Sequence, residues 1–98
     1  MQTRENILSK LRASKSALRQ LGVSDIGLFG SYARNEQTED SDIDLLIAFD
    51  STKESYDNFM AVYDILERCF INDKIEVVTK NGLSKHIGPF ILKEVIYA

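Results

Sequence analysis

Apolar residues near the start of the chain recur at helical intervals. Ile7, Leu8, Leu11, Leu18 and Leu21 fall at spacings of three, four and seven, the period of one helix face. Thr3 stands where an N-cap belongs, and Gly22 where a helix leaves through a C′ glycine. The pattern then changes. Val23–Phe29 is short and rich in Val, Ile, Leu and Phe, which predicts a strand. Gly30-Ser31 is a turn signal, followed by residues enough for one helical turn, and the polar run Asn35–Ser41 reads as a loop. A second strand is expected over Asp42–Phe49, where Asp42 and Asp44 alternate with Ile43 and Leu45 before a continuous apolar run. Asp50–Glu54 is a connector and Ser55 a candidate cap. Phe59, Tyr63, Leu66 and Phe70 form one helical stripe beyond it. Ile75–Thr79 is a strand by β-branched content, and Pro89–Tyr97 is predicted to be a last helix with Pro89 at its first position.

The order is α-β-(α)-β-α-β-α. The second strand, the following helix and the third strand make a βαβ unit, whose strands should be parallel and whose crossover right-handed. The expected fold is a small α/β (α+β) domain: a three- or four-stranded sheet with helices packed on it. In 98 residues there is no repeat, no Gly/Ser linker and a single proline, so residues 1–98 are read as one domain.

Composition narrows the function without naming it. Hydrophobic residues are 44% and charged residues 28%, which excludes a disordered chain. Twelve Lys and Arg against fifteen Asp and Glu give a net charge of −3. Binding to nucleic acid by the chain alone, which lives on a basic surplus, is disfavoured. A single Cys permits no intrachain disulfide and fits a reducing compartment. No apolar run reaches the ~20 residues of a membrane span, and no secretory h-region is visible, so a cytoplasmic protein is expected.

The informative stretch is GLFGSYARNEQTEDSDIDLLIAF, residues 27–49. On a strand, residues i and i+2 share a face, so Asp42 and Asp44 stand side by side at the start of an otherwise apolar element. Two unit charges ~4 Å apart repel by about 4 kcal/mol at an effective dielectric of 20, and a hard divalent cation is the natural compensation. A solvated strand end fits the pair alone equally well. Gly30-Ser31, with Arg34 one turn later, could hold a phosphate on free backbone N–H groups, a hydroxyl and a guanidinium, or could be a plain turn. Together the two features make the halves of a nucleotide–metal site. Strand three sets Glu76 beside the Asp pair, giving the three carboxylates that two-metal phosphoryl transfer uses; otherwise Glu76 is an exposed strand residue.

Gly30-Ser31-Tyr32-Ala33-Arg34 followed by Ser41-Asp42-Ile43-Asp44-Leu45 resembles the GSxAR…SDxDL signature of the DNA polymerase β nucleotidyltransferase superfamily. Length and ending, IEVVT…LSKHIGPFILKEVIYA, resemble its minimal nucleotidyltransferases, over essentially the whole chain. The resemblance implies a minimal palm with a mixed sheet. It also implies Gly30 and Ser31 on nucleotide phosphates with Arg34 assisting, and Asp42 and Asp44 on Mg²⁺. The family's third acid, commonly Asp, falls on Glu76, which lengthens that arm by one methylene. It implies a partner as well. Many members are antitoxins paired with a HEPN-domain ribonuclease toxin, and some transfer AMP from ATP to a tyrosine of the toxin, as in type VII-like pairs. A non-enzymatic antitoxin that blocks its toxin by contact, or an adenylyltransferase for a small-molecule hydroxyl, are the alternatives.

The remaining polar and aromatic residues read as structural. His86 is expected in a surface loop and Cys69 buried in the third helix. Tyr32 either stacks on a base or fills space, and Tyr56, Tyr63 and Tyr97 serve packing or partner contact. Lys10, Arg12, Lys15 and Arg19 form a basic flank, solvated or facing an acidic partner.

Overall fold

The structure, a computed structural model, describes residues 2–98. Helix α1 spans Arg4–Gln20 and starts where Thr3 accepts the Asn6 N–H. It buries Ile7, Leu8, Leu11 and Leu18 of the predicted stripe, and Leu21, past its end, is half-buried. Its exit is a left-handed glycine: Gly22 has φ +92° and donates to the Arg19 carbonyl. Strand β1 (Val23–Phe29) follows at once, and β2 covers Ile43–Phe49. Ser55 caps helix α2 (Tyr56–Cys69) by accepting the Asn58 N–H, and β3 covers Ile75–Thr79. A 3₁₀ turn at Lys80–Gly82 leads towards α3 (Gly88–Glu94), and the chain ends on a short strand, β4 (Ile96–Tyr97).

The sheet is mixed and four-stranded, in the order β3-β2-β1-β4. β2 and β3 are parallel, as their crossover helix requires, whereas β1 pairs antiparallel with both β2 and β4. Alternation along each strand sorts the side chains onto two faces. Ile26 and Leu28 from β1 join Ile43, Leu45 and Ile47 from β2 in the main core, packed with Leu11, Leu18, Val62, Leu66 and Phe70 from the helical layer. Residues 44 and 46 therefore point to the opposite face, with Gly27, Phe29 and Glu76. This second face carries α3.

The end of the chain departs from the expected Pro89–Tyr97 helix. α3 begins one residue earlier and stops at Glu94. Val95 is extended (φ −61°, ψ 136°), and Ile96 and Tyr97 pair with Leu28 and Gly27. β1 has a free edge once β2 occupies its other side, and Val, Ile and Tyr have the shape to fill it. The ladder of β2 also starts at Ile43, leaving Asp42 just ahead of it.

Candidate active site

β1, β2 and β3 bring the predicted residues to one end of the sheet. β1 ends in Phe29 and turns through Gly30, which has φ +77°. A Cβ on Gly30 would run into the Asp44 carboxylate, so glycine is needed here for conformation and for close approach. The next residues close one tight turn: the Arg34 N–H donates to the Gly30 carbonyl at 3.1 Å and the Glu36 N–H to that of Ser31 at 2.8 Å. Tyr32 and Ala33 are buried against the core, and Arg4 at the start of α1 donates to the Ala33 carbonyl at 3.3 Å. That leaves Ser31 half-buried and Arg34 exposed on the open side of the turn.

The acids come from adjacent strands in register. Asp44 is opposite Phe29 on one side and Glu76 on the other. Asp44 is half-buried, while Asp42 and Glu76 are exposed. Burial, followed by the charge of Glu76, pushes Asp44 up from the ordinary 3.8 to about 6; Asp42 and Glu94 add smaller repulsions. Like charges are thus crowded around a carboxyl that burial already disfavours as an anion.

A cavity of about 420 Å³ opens over this end, walled by Gly30, Ser31, Arg34, Asp44, Phe90 and Glu94 among others. A cavity of about 500 Å³ lies beyond the turn, between Tyr32, the Glu39–Ser41 loop and Asn72–Lys74. It contains none of the six predicted site residues, and Asp44 and the Gly30 turn belong to the first.

The donor chemistry of Asp44 and Glu76, two carboxylates brought together by strand register, fits a hard divalent cation. Among the described residues no three His, Cys, Asp or Glu side chains already form a chelating cluster. Mg²⁺ does not require one: it is commonly held by one or two carboxylates and by substrate phosphates, with water completing the octahedron. Asp44 and Glu76 are the pair in register, and Asp42 stands exposed beside them.

One residue of the site was not read from the sequence. Glu94, the last residue of α3, accepts the Gly30 N–H at 2.5 Å, and Arg34 donates to both of its oxygens at 3.0 and 3.2 Å. Its signal was a lone acid entering the strand-like run Val95-Ile96-Tyr97. A helix continued to Tyr97 concealed it.

A family model described as the nucleotidyltransferase domain matches residues 10–98. The chain belongs to this family. It is 40% identical over 98 residues to the protein adenylyltransferase MntA of Thermococcus cleftensis, across 99% of this chain and 97% of that protein. A solved structure assigned as a minimal nucleotidyltransferase superposes with a TM-score of 0.81 at 28% identity, covering 97% of this chain and 95% of its own. A toxin–antitoxin crystal structure with AMP-PNP has a chain of the same fold, with a TM-score of 0.65 at 18% identity over 98% of this chain and 72% of that one. The mixed four-stranded α+β sheet is thus that of a minimal nucleotidyltransferase.

The other sequence candidates lie outside this cavity. His86 is exposed, as expected. Cys69 is half-buried, not fully, with its Sγ 3.2 Å from the Ser14 hydroxyl. Tyr32 is buried, which leaves packing as its role and removes base stacking. The basic flank of α1 is partly used inside the molecule. Lys10 sits 5.3 Å from the centre of the Phe70 ring, and Lys15 donates to the Ala98 carbonyl at 3.1 Å.

Proposed function

We propose that this nucleotidyltransferase transfers AMP from ATP to a hydroxyl, most simply a tyrosine, of a HEPN-type toxin, and so acts as that toxin's antitoxin. The observation that carries the reading is a convergence. An N–H, a hydroxyl and a guanidinium from one turn share a cavity with Asp44, which is in register with Glu76. A pure binding module has little use for that arrangement. The protein-adenylyltransferase name of the Thermococcus relative and the toxin–antitoxin setting of the structural neighbour support the partner.

In this reading Gly30 N–H, the Ser31 hydroxyl and Arg34 hold phosphate oxygens of ATP. Asp44 and Glu76, with Asp42 beside them, hold Mg²⁺. Bound Mg²⁺ would supply charge neutralisation on the phosphates and on the departing pyrophosphate. The acceptor oxygen forms a bond to the α-phosphorus as the bond to the pyrophosphate oxygen breaks. The hydroxyl proton passes to a carboxylate, and Glu76, exposed and in register beside Asp44, is assigned that role. Positioning and electrostatics supply the rate, because the chemistry needs no covalent step on the enzyme.

Co-expression of the chain with a HEPN-domain toxin, sought first in the neighbouring reading frame, followed by intact-mass analysis of that toxin, tests the proposal. The expected result is one or more whole AMP additions, made far more slowly by Glu76→Gln. A toxin that is inhibited yet unmodified would make the chain a contact-only antitoxin.

A further inference from the structure

We propose that Glu94 is a built-in occupant of the phosphate-binding turn: in the free protein its carboxylate fills the anion position that a nucleotide phosphate takes over, and nucleotide entry releases the end of α3. The inference rests on the reading of Gly30 and Arg34 as phosphate donors.

The Glu94 carboxylate bridges those two donors. One oxygen takes the Gly30 N–H at 2.5 Å and both take Arg34, at 3.0 and 3.2 Å. Carboxylate and phosphate oxygens want the same charge-assisted partners. The Gly30 N–H has one hydrogen to give, so a phosphate oxygen bound there must replace Glu94. Retaining both would add a second anion beside Asp44, already crowded by Glu76 and Glu94.

The segment that carries Glu94 can move. α3 has seven residues, too few to stand as an isolated helix in water, and Phe90 on it is 72% exposed. β4 contributes only two residue pairs, Gly27 with Tyr97 and Leu28 with Ile96. Arg34, half-exposed, exchanges one anion for another at little cost. What seats the latch is local. Val95 packs over Gly27, where a Cβ would come within 2.6 Å of the Val95 methyl, and this fixes the register from which Glu94 reaches the turn.

Two measurements on the full chain test the latch. The first is calorimetric binding of Mg²⁺ with a non-hydrolysable ATP analogue. Glu94→Gln keeps the length of the side chain and an acceptor for Gly30 but removes the competing charge, so it should bind the analogue roughly tenfold more tightly than wild type. Unchanged or weaker binding overturns the latch. The second is hydrogen exchange on wild type, which does not depend on the variant folding. Amides of residues 88–97 should exchange faster once the analogue is bound. Binding without that change overturns the latch and leaves the phosphate site standing. No binding by either protein overturns the phosphate site, and the latch with it.

Discussion

Asp44 loses its proton near neutrality only against the burial of its carboxyl and the charge of Glu76 across the ladder. In the fold it keeps that proton up to about pH 6, against 3.8 ordinarily. Between those values the native state binds more protons than the unfolded chain. The contribution of Asp44 to stability is therefore fullest below the ordinary value and declines as pH rises through about 6. Relief of that cost, on the order of 1 kcal/mol once solvent screening is allowed for, predicts that Asp44→Asn melts roughly 4–8 °C higher than wild type in ligand-free protein at neutral pH. The gap should shrink as the pH is lowered below 6. The same variant should lose the stabilisation that Mg²⁺–ATP gives, about 2.7 kcal/mol at 100 times the dissociation constant. Scanning calorimetry at two pH values reads both effects, and a variant that melts lower would make Asp44 a structural residue. Gly30→Ala is expected to behave in the opposite way. A left-handed backbone and a collision with the Asp44 carboxylate should cost about 1–3 kcal/mol in urea unfolding, and nucleotide binding should vanish. Gly30, Ser31, Asp42, Asp44 and Glu76 were legible because local pattern places them: a turn signal after one strand, an alternation in the next, and register with the third. Which of the acids would be buried was not, since that depends on what folds over the second face of the sheet.

α3 and β4 are the elements that local pattern did not determine. Pro89 and the apolar run after it suit a helix, but Val95-Ile96-Tyr97 suits a strand equally, and a free edge on β1 decides in favour of the strand. That decision is tertiary. It turns on the antiparallel seat of β1 beside β2, which leaves one side of β1 open, and no window of sequence contains it. The predicted elements α1, β1, α2 and β3 had both period and punctuation: Thr3 and Ser55 cap and Gly22 exits, while Leu66 and Phe70 of the α2 stripe reach the core, Phe59 packs against it, and Val62 takes the place expected of Tyr63. At this scale Gly27→Ala is informative. The added methyl meets Val95, and overpacking should cost about 1–3 kcal/mol in chemical denaturation. Faster exchange of the Ile96 and Tyr97 amides should accompany it. An unchanged denaturation midpoint would show that β4 yields freely.

The molecule as a whole is a mixed sheet with a helical core on one face and a more open face, bearing the candidate site, on the other. The minimal nucleotidyltransferase fold was legible through the resemblance that two short motifs carry, while the order of elements by itself gave only a small α/β domain with a parallel βαβ unit. The acceptor was not readable, since in the proposed reaction it belongs to a partner protein and no residue of this chain encodes it. Ile87 and Phe90 are exposed near the cavity at 60% and 72%, and a protein acceptor would approach over them. Removing the exposed acid with Glu76→Gln should leave the complex intact in size-exclusion chromatography while lowering the transfer rate by about 10²–10⁴-fold. Loss of the complex would instead make Glu76 a docking residue. The central claim is that the α-phosphate of ATP, carried as AMP, ends on the partner. Purified chain and partner toxin, incubated with Mg²⁺ and with ATP labelled at either the α or the γ phosphorus, test it most directly. Label from the α position should appear on the toxin, and label from the γ position should leave as pyrophosphate. Label arriving from the γ position, or from neither, would contradict it.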